Sequence, residues 1–353
     1  MEIDSINIRW GKFVINELFV VKIGKSIDGN KVNKNGGEVA YITRKESANG
    51  LDGFIDFDNA YLNNEGPVIT IGNETAEPFV QNYPFFTGTK VNILISKHNV
   101  SKEVLLFISQ CLKLHKSKYS YSYTINSTRL KRQIIQLPIN SKNEPDYSFM
   151  EEYIRNKENE KILKVRNYVV QKIEQVKDFK EVETLNKKEW GEFFIEDVFN
   201  IKAGKRLTKA DMHSGETPFI GASDSNNGIT NFVSNNNSSL DSNILGVNYN
   251  GSVVENFYHP YKAIFSDDVK RLSLKEVEGN EFLYLFIKTS ILNQKSKFQY
   301  AYKFNETRML RQKLLFPINK KGHIDYDYME NYIKKIEYEK LTNYIKLKTA
   351  KKK

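Results

Sequence analysis

Apolar residues along this chain follow two rhythms. Short runs bounded by Gly and Asn, such as FVINELFVVKIGK, EVAYITRK and PVITIGNET, predict strands joined by turns. SKEVLLFISQCLKLHK has helical spacing and predicts a buried-face helix. RQIIQLPI then reads as a strand, which Pro138 restricts to an edge or an end. Residues 146–180 set Phe149, Tyr153, Ile162, Val165, Val169, Ile173 and Val176 among Glu, Lys and Arg. Spacings of three, four and seven, with no Gly and no Pro after Pro145, predict one amphipathic helix. About 33 residues at ~1.5 Å each would make a rod of roughly 50 Å.

The same order is then written again. FFIEDVFNIKAGK, TPFIGAS and SNILGVNYNGSVV are the second set of strands, GNEFLYLFIKTSILNQK the second helix, RQKLLFPI the second closing strand. A second long helix runs from Tyr326 to about Lys348, through Met329, Tyr332, Ile336, Leu341 and Ile345. Trp190 follows Trp10 by 180 positions, and Phe199, Gly204 and Lys205 follow Phe19, Gly24 and Lys25 by the same interval. Asn227-Gly228 answers Asn49-Gly50, HPY (259–261) answers YPF (83–85), and Phe286 answers Phe107. The longest match is YSYTINSTRLKRQIIQLPIN (121–140) against YAYKFNETRMLRQKLLFPIN (300–319). PDYSFMEEYI (145–154) against IDYDYMENYI (324–333) extends it. Chance does not hold register over such a length, and the interval is too long for a solenoid repeat, so the chain is a tandem duplication of a domain.

The expected fold class is α+β: two similar globular α/β domains separated by a pair of long antiparallel α-helices, a pseudo-twofold repeat shaped like a dumbbell. The divisions fall at 1–144 for the first domain, 145–186 for the first spacer helix, 187–323 for the second domain, and 324–353 for the second helix with its basic tail. Each helix needs a partner for its apolar stripe, and the nearest candidate is its copy. The alternative is that each helix packs back on its own domain.

Composition narrows the class. Of 353 residues, 40% are hydrophobic and 27% charged, enough apolar content for two cores. No run approaches the ~18 apolar residues of a membrane span. MEIDSINIRW has no apolar h-region, so no secretory signal is expected. The single Cys111 reads as an inert, buried thiol and suits a reducing cytoplasm. The net charge of +10 points to an acidic partner, nucleic acid above all, although KTAKKK supplies four of those charges.

Catalytic patterns are missing from the text of the sequence. There is no G-x-x-x-x-G-K-[ST] loop, no G-x-G-x-x-G, no Asn/Asp-Pro-Pro-Tyr/Phe methyltransferase motif and no H-E-x-x-H. A nuclease carboxylate cluster around Mg²⁺ needs an acid followed by Asp/Glu-x-Lys, and no convincing example occurs. The carboxylates that do repeat, Glu17/Asp197 and Asp146/Asp325, sit at element ends and read as caps or edge contacts. The chain is therefore expected to have no catalytic residues, no metal site and no cofactor of its own.

What differs between the copies lies in the loops: DGNKVNKNGGEVAYITRKESANGL against RLTKADMHSGETPFIGASDSNNGI. Such side chains can read base edges, Arg or Lys to guanine and Asn or Gln to adenine. The candidate DNA-contacting residues are Lys25, Lys31, Arg44, Lys45, Asn49, Tyr121 and Arg129 in the first copy. In the second they are Lys205, Arg206, Thr208, Lys209, Ser223, Asn226, Asn227, Asn250, Tyr300 and Arg308. Lys25 and Lys205 follow a glycine in the same turn and suit a phosphate. Arg129 and Arg308 suit either a phosphate or a buried ion pair. The rows Tyr119/Tyr121/Tyr123 and Phe298/Tyr300/Tyr302 would share one face of a strand, for core packing or for stacking on DNA. Simple drift would also explain the loops.

The ordered set W-G-x-F-x-I…F-x-I-x-x-G-K, the later N-G, and N-x-T-R-x-x-R-Q…P-I-N, present in both copies, resembles the target recognition domains of restriction–modification specificity subunits. The likeness is to type I systems and especially to BcgI-like type IIB systems, and it covers nearly the whole chain. It implies two target recognition domains held apart by paired helices and a split DNA site with an unspecified gap. It implies double-stranded DNA and a modification (methyltransferase) subunit as partners, the latter fused to a nuclease or joined by a motor. S-adenosylmethionine and Mg²⁺ would then belong to those partners, and the complex to the cytoplasm. Two rivals remain open at this stage: a tandem lectin-like or scaffold module, which predicts salt-insensitive binding, and a self-contained nuclease, which predicts Mg²⁺-dependent cutting by the chain alone.

Overall fold

The computed structural model describes residues 8–298 and 303–350, with side chains to residue 347. The chain divides into two units, 1–165 and 166–353, the division falling inside one long helix.

In the first unit β1 (Trp10–Val14) leads through a single turn, α1 (Ile15–Leu18), into β2 (Phe19–Ile23). A hairpin of β3 (Val39–Ile42) and β4 (Leu51–Ile55) follows, then β5 (Val68–Gly72), β6 (Pro78–Gln81), β7 (Phe85–Thr87) and β8 (Val91–Ser96). Helices α2 (Lys102–Lys113) and α3 (Ser127–Arg132), strand β9 (Ile134–Pro138) and helix α4 (Tyr147–Val176) complete it. Three sheets result: β2-β8-β5-β6, β4-β3-β7 and the pair β1-β9. β5 is buried along its whole length, because it is flanked by β8 and β6 and α2 packs across it. The main core joins Ile15, Phe19, Ile69, Leu94, Leu105, Ile108, Leu130 and Leu137. Two smaller cores, around Tyr41 and Phe86 and around Ile42 and Phe85, support the hairpin.

The second unit repeats this order: β10 (Trp190–Phe194), α5 (Ile195–Val198), β11 (Phe199–Ala203), β12 (Ser214–Ile220), β13 (Ile229–Val233), β14 (Ile244–Asn248), β15 (Asn256–His259), β16 (Ile264–Phe265), β17 (Val269–Leu274), α6 (Glu281–Leu292), α7 (Glu306–Leu310), β18 (Lys313–Pro317) and α8 (Tyr326–Ala350). Its sheets are β11-β17-β14-β15, β13-β12-β16 and β10-β18. The prolines take the expected places: Pro138 ends β9 opposite Trp10, and Pro317 ends β18 opposite Trp190.

The long repeated stretch is a closing device. Asn126 caps α3 by accepting from the Arg129 amide, and Asn305 caps α7 by accepting from the Arg308 amide. Each short helix hands over to the strand that pairs with the first strand of its unit. Asp146 and Asp325 are caps as well, accepting from the amides of Phe149 and Tyr328 at the starts of α4 and α8.

Both long helices begin in the core of their own unit, where Met150 and Met329 are fully buried. That part follows the alternative in which a helix packs on its own domain. An antiparallel course along α8 is found inside the second unit, carried by residues 179–188 beyond the end of α4. Phe179 meets Tyr338 (ring centroids 5.6 Å apart), the Lys180 amide donates to Asn331 Oδ1 at 2.7 Å, and Tyr328 Oη donates to the Glu183 carbonyl at 2.9 Å. Lys188 ends the run on Asp325, at 2.9 Å. The expected apolar stripe of α4 is only partly used: Val169 and Val176 are buried, while Ile162 and Val165 are about half exposed. No helix among the described residues is long and apolar enough to cross a membrane.

Candidate nucleic-acid interface

The variable loops occupy matching places in the two units. Each begins with the repeated Gly-Lys after the second strand. A Cβ on Gly24 would collide with the Thr87 side chain, and one on Gly204 with the Ser266 carbonyl, so glycine is demanded by close approach. Lys25 and Lys205 follow at the surface. Lys25 Nζ donates to the Ala60 carbonyl at 2.6 Å, while the Lys205 amide donates to the Phe265 carbonyl at 2.8 Å.

In the first unit the loops enclose a polar cleft of about 480 Å³ lined by Lys34, Tyr41, Arg44, Lys45, Asp52 and Glu74. Tyr41 forms its floor and donates to the Ile27 carbonyl at 2.8 Å. Asp52 holds Lys34 at 2.7 Å and Lys45 at 2.5 Å. Partial burial alone would raise its pKa, but hydrogen bonds and charge from the two lysines outweigh this and keep the carboxyl below its usual range. Glu74 pairs with Arg44 and, at 3.2 Å, with Lys90. Cations are thus fixed in place by acids set between them. Arg44 and Lys45 are brought together here. Lys31 is exposed on the neighbouring short turn 29–31.

In the second unit the loops are built differently. Arg206 reaches Asp267 at 3.5 Å, and Asn250 Nδ2 donates to Asp268 Oδ1 at 2.8 Å, so those two residues converge on adjacent acids. The Ser223 carbonyl accepts from Asn248 Nδ2 at 2.9 Å, which ties its turn to the same region. Thr208 Oγ1 donates to Asp211 Oδ2 at 2.5 Å beside the exposed Lys209. Asn226 is exposed at the hairpin tip.

Three assignments change with the geometry. Asn49 and Asn227 have left-handed backbones (φ 55° and 54°) at the turns before β4 and β13. Asn49 Nδ2 donates to the Val80 carbonyl and Gln81 Oε1, both at 3.2 Å, and Asn227 Nδ2 donates to Tyr261 Oη at 2.8 Å. Their side-chain amides are engaged within the fold, so both residues serve the frame. Arg129 and Arg308 donate to backbone carbonyls five residues earlier, Thr124 (2.7 Å) and Lys303 (2.8 Å). These bonds tie the chain just ahead of each short helix. The tyrosine row is no strand: residues 120–123 form a tight turn, closed by paired bonds between Ser120 and Tyr123. Tyr119 and Tyr123 stack at 6.1 Å, Arg129 covers the Tyr123 ring at 4.0 Å, and Tyr121 projects from the tip, 86% exposed. In the second copy Phe298 packs on Phe304, while Tyr300 and Tyr302 lie outside the described residues.

The acids Asp52, Glu74, Asp267 and Asp268 were not among the candidates. A search for donors to base edges passes over acids, yet a carboxylate embedded in a basic loop is itself a signal of cations held in place. Cys111 is partly buried on α2, and burial pushes its thiol up to about 11, in keeping with an inert residue.

Two copies of one frame carry two different polar loop sets. Both halves of the chain match the type I restriction modification DNA specificity domain, over residues 7–166 and 187–349. The chain belongs to that family: it is a restriction–modification specificity subunit that recognises DNA sequence through two domains. It is 51% identical over 333 residues to the specificity subunit S.BcgI of a type II restriction enzyme from Heyndrickxia coagulans, across 94% of this chain and 95% of that one. The crystal structure of the type I restriction–modification S subunit from M. genitalium matches 99% of this chain and 94% of its own at a TM-score of 0.59 and 16% identity, a likeness of fold.

Proposed function

We propose that each unit reads one half of a split DNA site, and that the chain directs a modification subunit to both halves. One observation carries this reading. Lys90 precedes β8 and pairs with Glu74 just after β5, whereas at the matching positions of the second unit Asp268 pairs with Asn250. The frame is retained while the hydrogen-bonding groups on it are exchanged, as expected for readers of different base sequences. In this reading Arg44, Lys45, Lys31, Ser223, Asn226 and Asn250 face bases, and Lys25, Lys205, Arg206 and Lys209 face phosphates.

The chain supplies recognition, and the chemistry is the partner's. Methyl transfer would use S-adenosylmethionine on the modification subunit, and cleavage would use Mg²⁺ on a nuclease fused or bound to it. The 51% identity to S.BcgI favours the type IIB-like arrangement over the motor-driven type I arrangement. The assembly would act in the cytoplasm, where the DNA is.

The test is selection of bound duplexes from a random pool by the purified chain. The reading expects enrichment of one motif in two parts separated by a fixed gap, with affinity falling steeply between 50 and 200 mM salt. Binding that ignores salt, or Mg²⁺-dependent cutting by the chain alone, would contradict it.

A further inference from the structure

The sequence has two tryptophans, and they occupy the same place in the two units. Trp10 stacks on Phe107 of α2, with centroids 6.4 Å apart and planes at 25°. Trp190 stacks on Phe286 of α6 at 6.2 Å and 22°. Each phenylalanine takes a tyrosine of the following long helix edge-on: Tyr153 at 5.6 Å and 85°, Tyr332 at 5.9 Å and 80°. Both phenylalanines are buried, yet Trp10 is 50% exposed and Trp190 37%. In the second unit the three rings line an open groove of about 590 Å³, with Leu185, Thr289 and Ile336 around them. Trp190 Nε1 donates to the Leu185 carbonyl at 3.1 Å, which fixes its ring.

Buried residues recur in the two copies because the core demands them. Side chains on the variable loops have drifted: Arg44, Lys45 and Asp52 of the first hairpin stand where the second has Ala222, Ser223 and Thr230. A half-exposed tryptophan gains less from the core than a buried one, and exposed large apolar groups promote association. Its recurrence with the same neighbours, spacings and angles answers a constraint shared by both units. Base reading is not that constraint, because the two reading surfaces differ. In the restriction–modification reading the catalytic subunit is shared, because the same modification subunit would serve each half-site. We propose that each Trp–Phe–Tyr cluster docks one copy of the modification subunit through an apolar side chain, an inference that rests on the restriction–modification reading above. Tryptophan in a pocket of this kind is a frequent source of binding energy at interfaces.

The experiment uses the full chain co-expressed with its modification subunit, scored by native mass and by titration. Trp190→Ala removes one wall of the groove. Thr289→Arg fills its mouth from an exposed position of α6 and leaves the core intact. Either change is expected to weaken partner binding at the second unit by about 30-fold or more, so that the complex falls from two partner copies to one. DNA binding by the free chain should stay unchanged, and Trp10→Ala with Trp190→Ala should lose both copies. Two partner copies at unchanged affinity with Thr289→Arg would overturn the proposal. So would a Trp190-dependent dimer of the specificity chain alone, which would make the groove a self-interface. If the wild-type chain bound neither partner nor DNA, the underlying reading would fail instead, a result distinct from a neutral Thr289→Arg.

Discussion

Lys90 Nζ lies 3.2 Å from Glu74 Oε1, and the pair is rewritten in the second unit as Asp268 accepting from Asn250 at 2.8 Å. Glu74 also holds Arg44, so one acid of the first cleft orders two cations. Arg44→Ala should weaken binding to the cognate duplex by about 10- to 100-fold, the range of a bidentate base contact. Duplexes with a scrambled first half-site should bind the variant and the wild type alike. Fluorescence anisotropy on both duplexes measures this, and equal losses on the two would remove Arg44 from base readout.

Asn49 and Asn227 are predicted to act on stability and to leave sequence choice alone. Replacing either by Ala forces a Cβ-bearing residue without local hydrogen bonding into a left-handed turn, at roughly 1–2 kcal/mol, and removes bonds worth about 1 kcal/mol. Ala48 already carries φ 51°, where the second unit has Asn226 at φ 50°. Ala48→Asn should therefore be neutral to stabilising. Urea unfolding of each variant, alongside its selected DNA motif, separates the two effects; an altered motif from Asn49→Ala would return that residue to the interface.

The frame was legible in the sequence because what repeats in a duplicated chain is mostly what is buried. Phe19/Phe199, the closing prolines and the caps Asp146/Asp325 all fell where their spacing put them. The interface was less legible for three physical reasons. Alternating tyrosines suit a strand, and they also suit a turn stapled by Arg129. An Asn-Gly pair is a backbone requirement before it is a recognition element. Acids that fix cations, such as Asp52, do not look like ligands for a polyanion. The exposed middle of α4 was read as a packed stripe because periodicity reports a face and not what covers it.

His259 supplies a pH handle confined to one unit. It is fully buried beside Tyr261, Phe265 and the charged Lys288, and burial, aided by Lys288, pulls its pKa down to about 4. Unfolded, it would titrate near the ordinary value of ~6.5. The neutral ring is thus favoured in the folded state, and its stability contribution is complete above pH ~6.5 and lost as pH falls toward 4. The loss amounts to about 3 kcal/mol at most. The strand registers place Gln81, at the end of β6, at the matching position in the first unit, which corrects the alignment of HPY (259–261) with YPF (83–85) that puts Tyr83 there. His259→Gln should flatten the stability profile of the second unit between pH 4 and 6.5. An unchanged slope by thermal unfolding would mean that other groups set it.

The continuous helix α4, 30 residues from Tyr147 to Val176, should act as a ruler. Removing seven residues between 155 and 168 takes out about two turns and keeps the helical phase. The expected result is a changed gap between unchanged half-sites, read by duplex selection. Changed half-sites with the original gap would show that the helix does not set the spacing.

The most direct test of the two-reader account is long-read modification mapping of host DNA, with the gene intact, deleted, and with residues 190–318 exchanged for those of another specificity chain. The account predicts that a split methylated motif disappears on deletion, and that the exchange rewrites one half of it while the other half stays. A methylation pattern indifferent to deletion, from a chain that is expressed and binds DNA, or an exchange that altered both halves together, would contradict it.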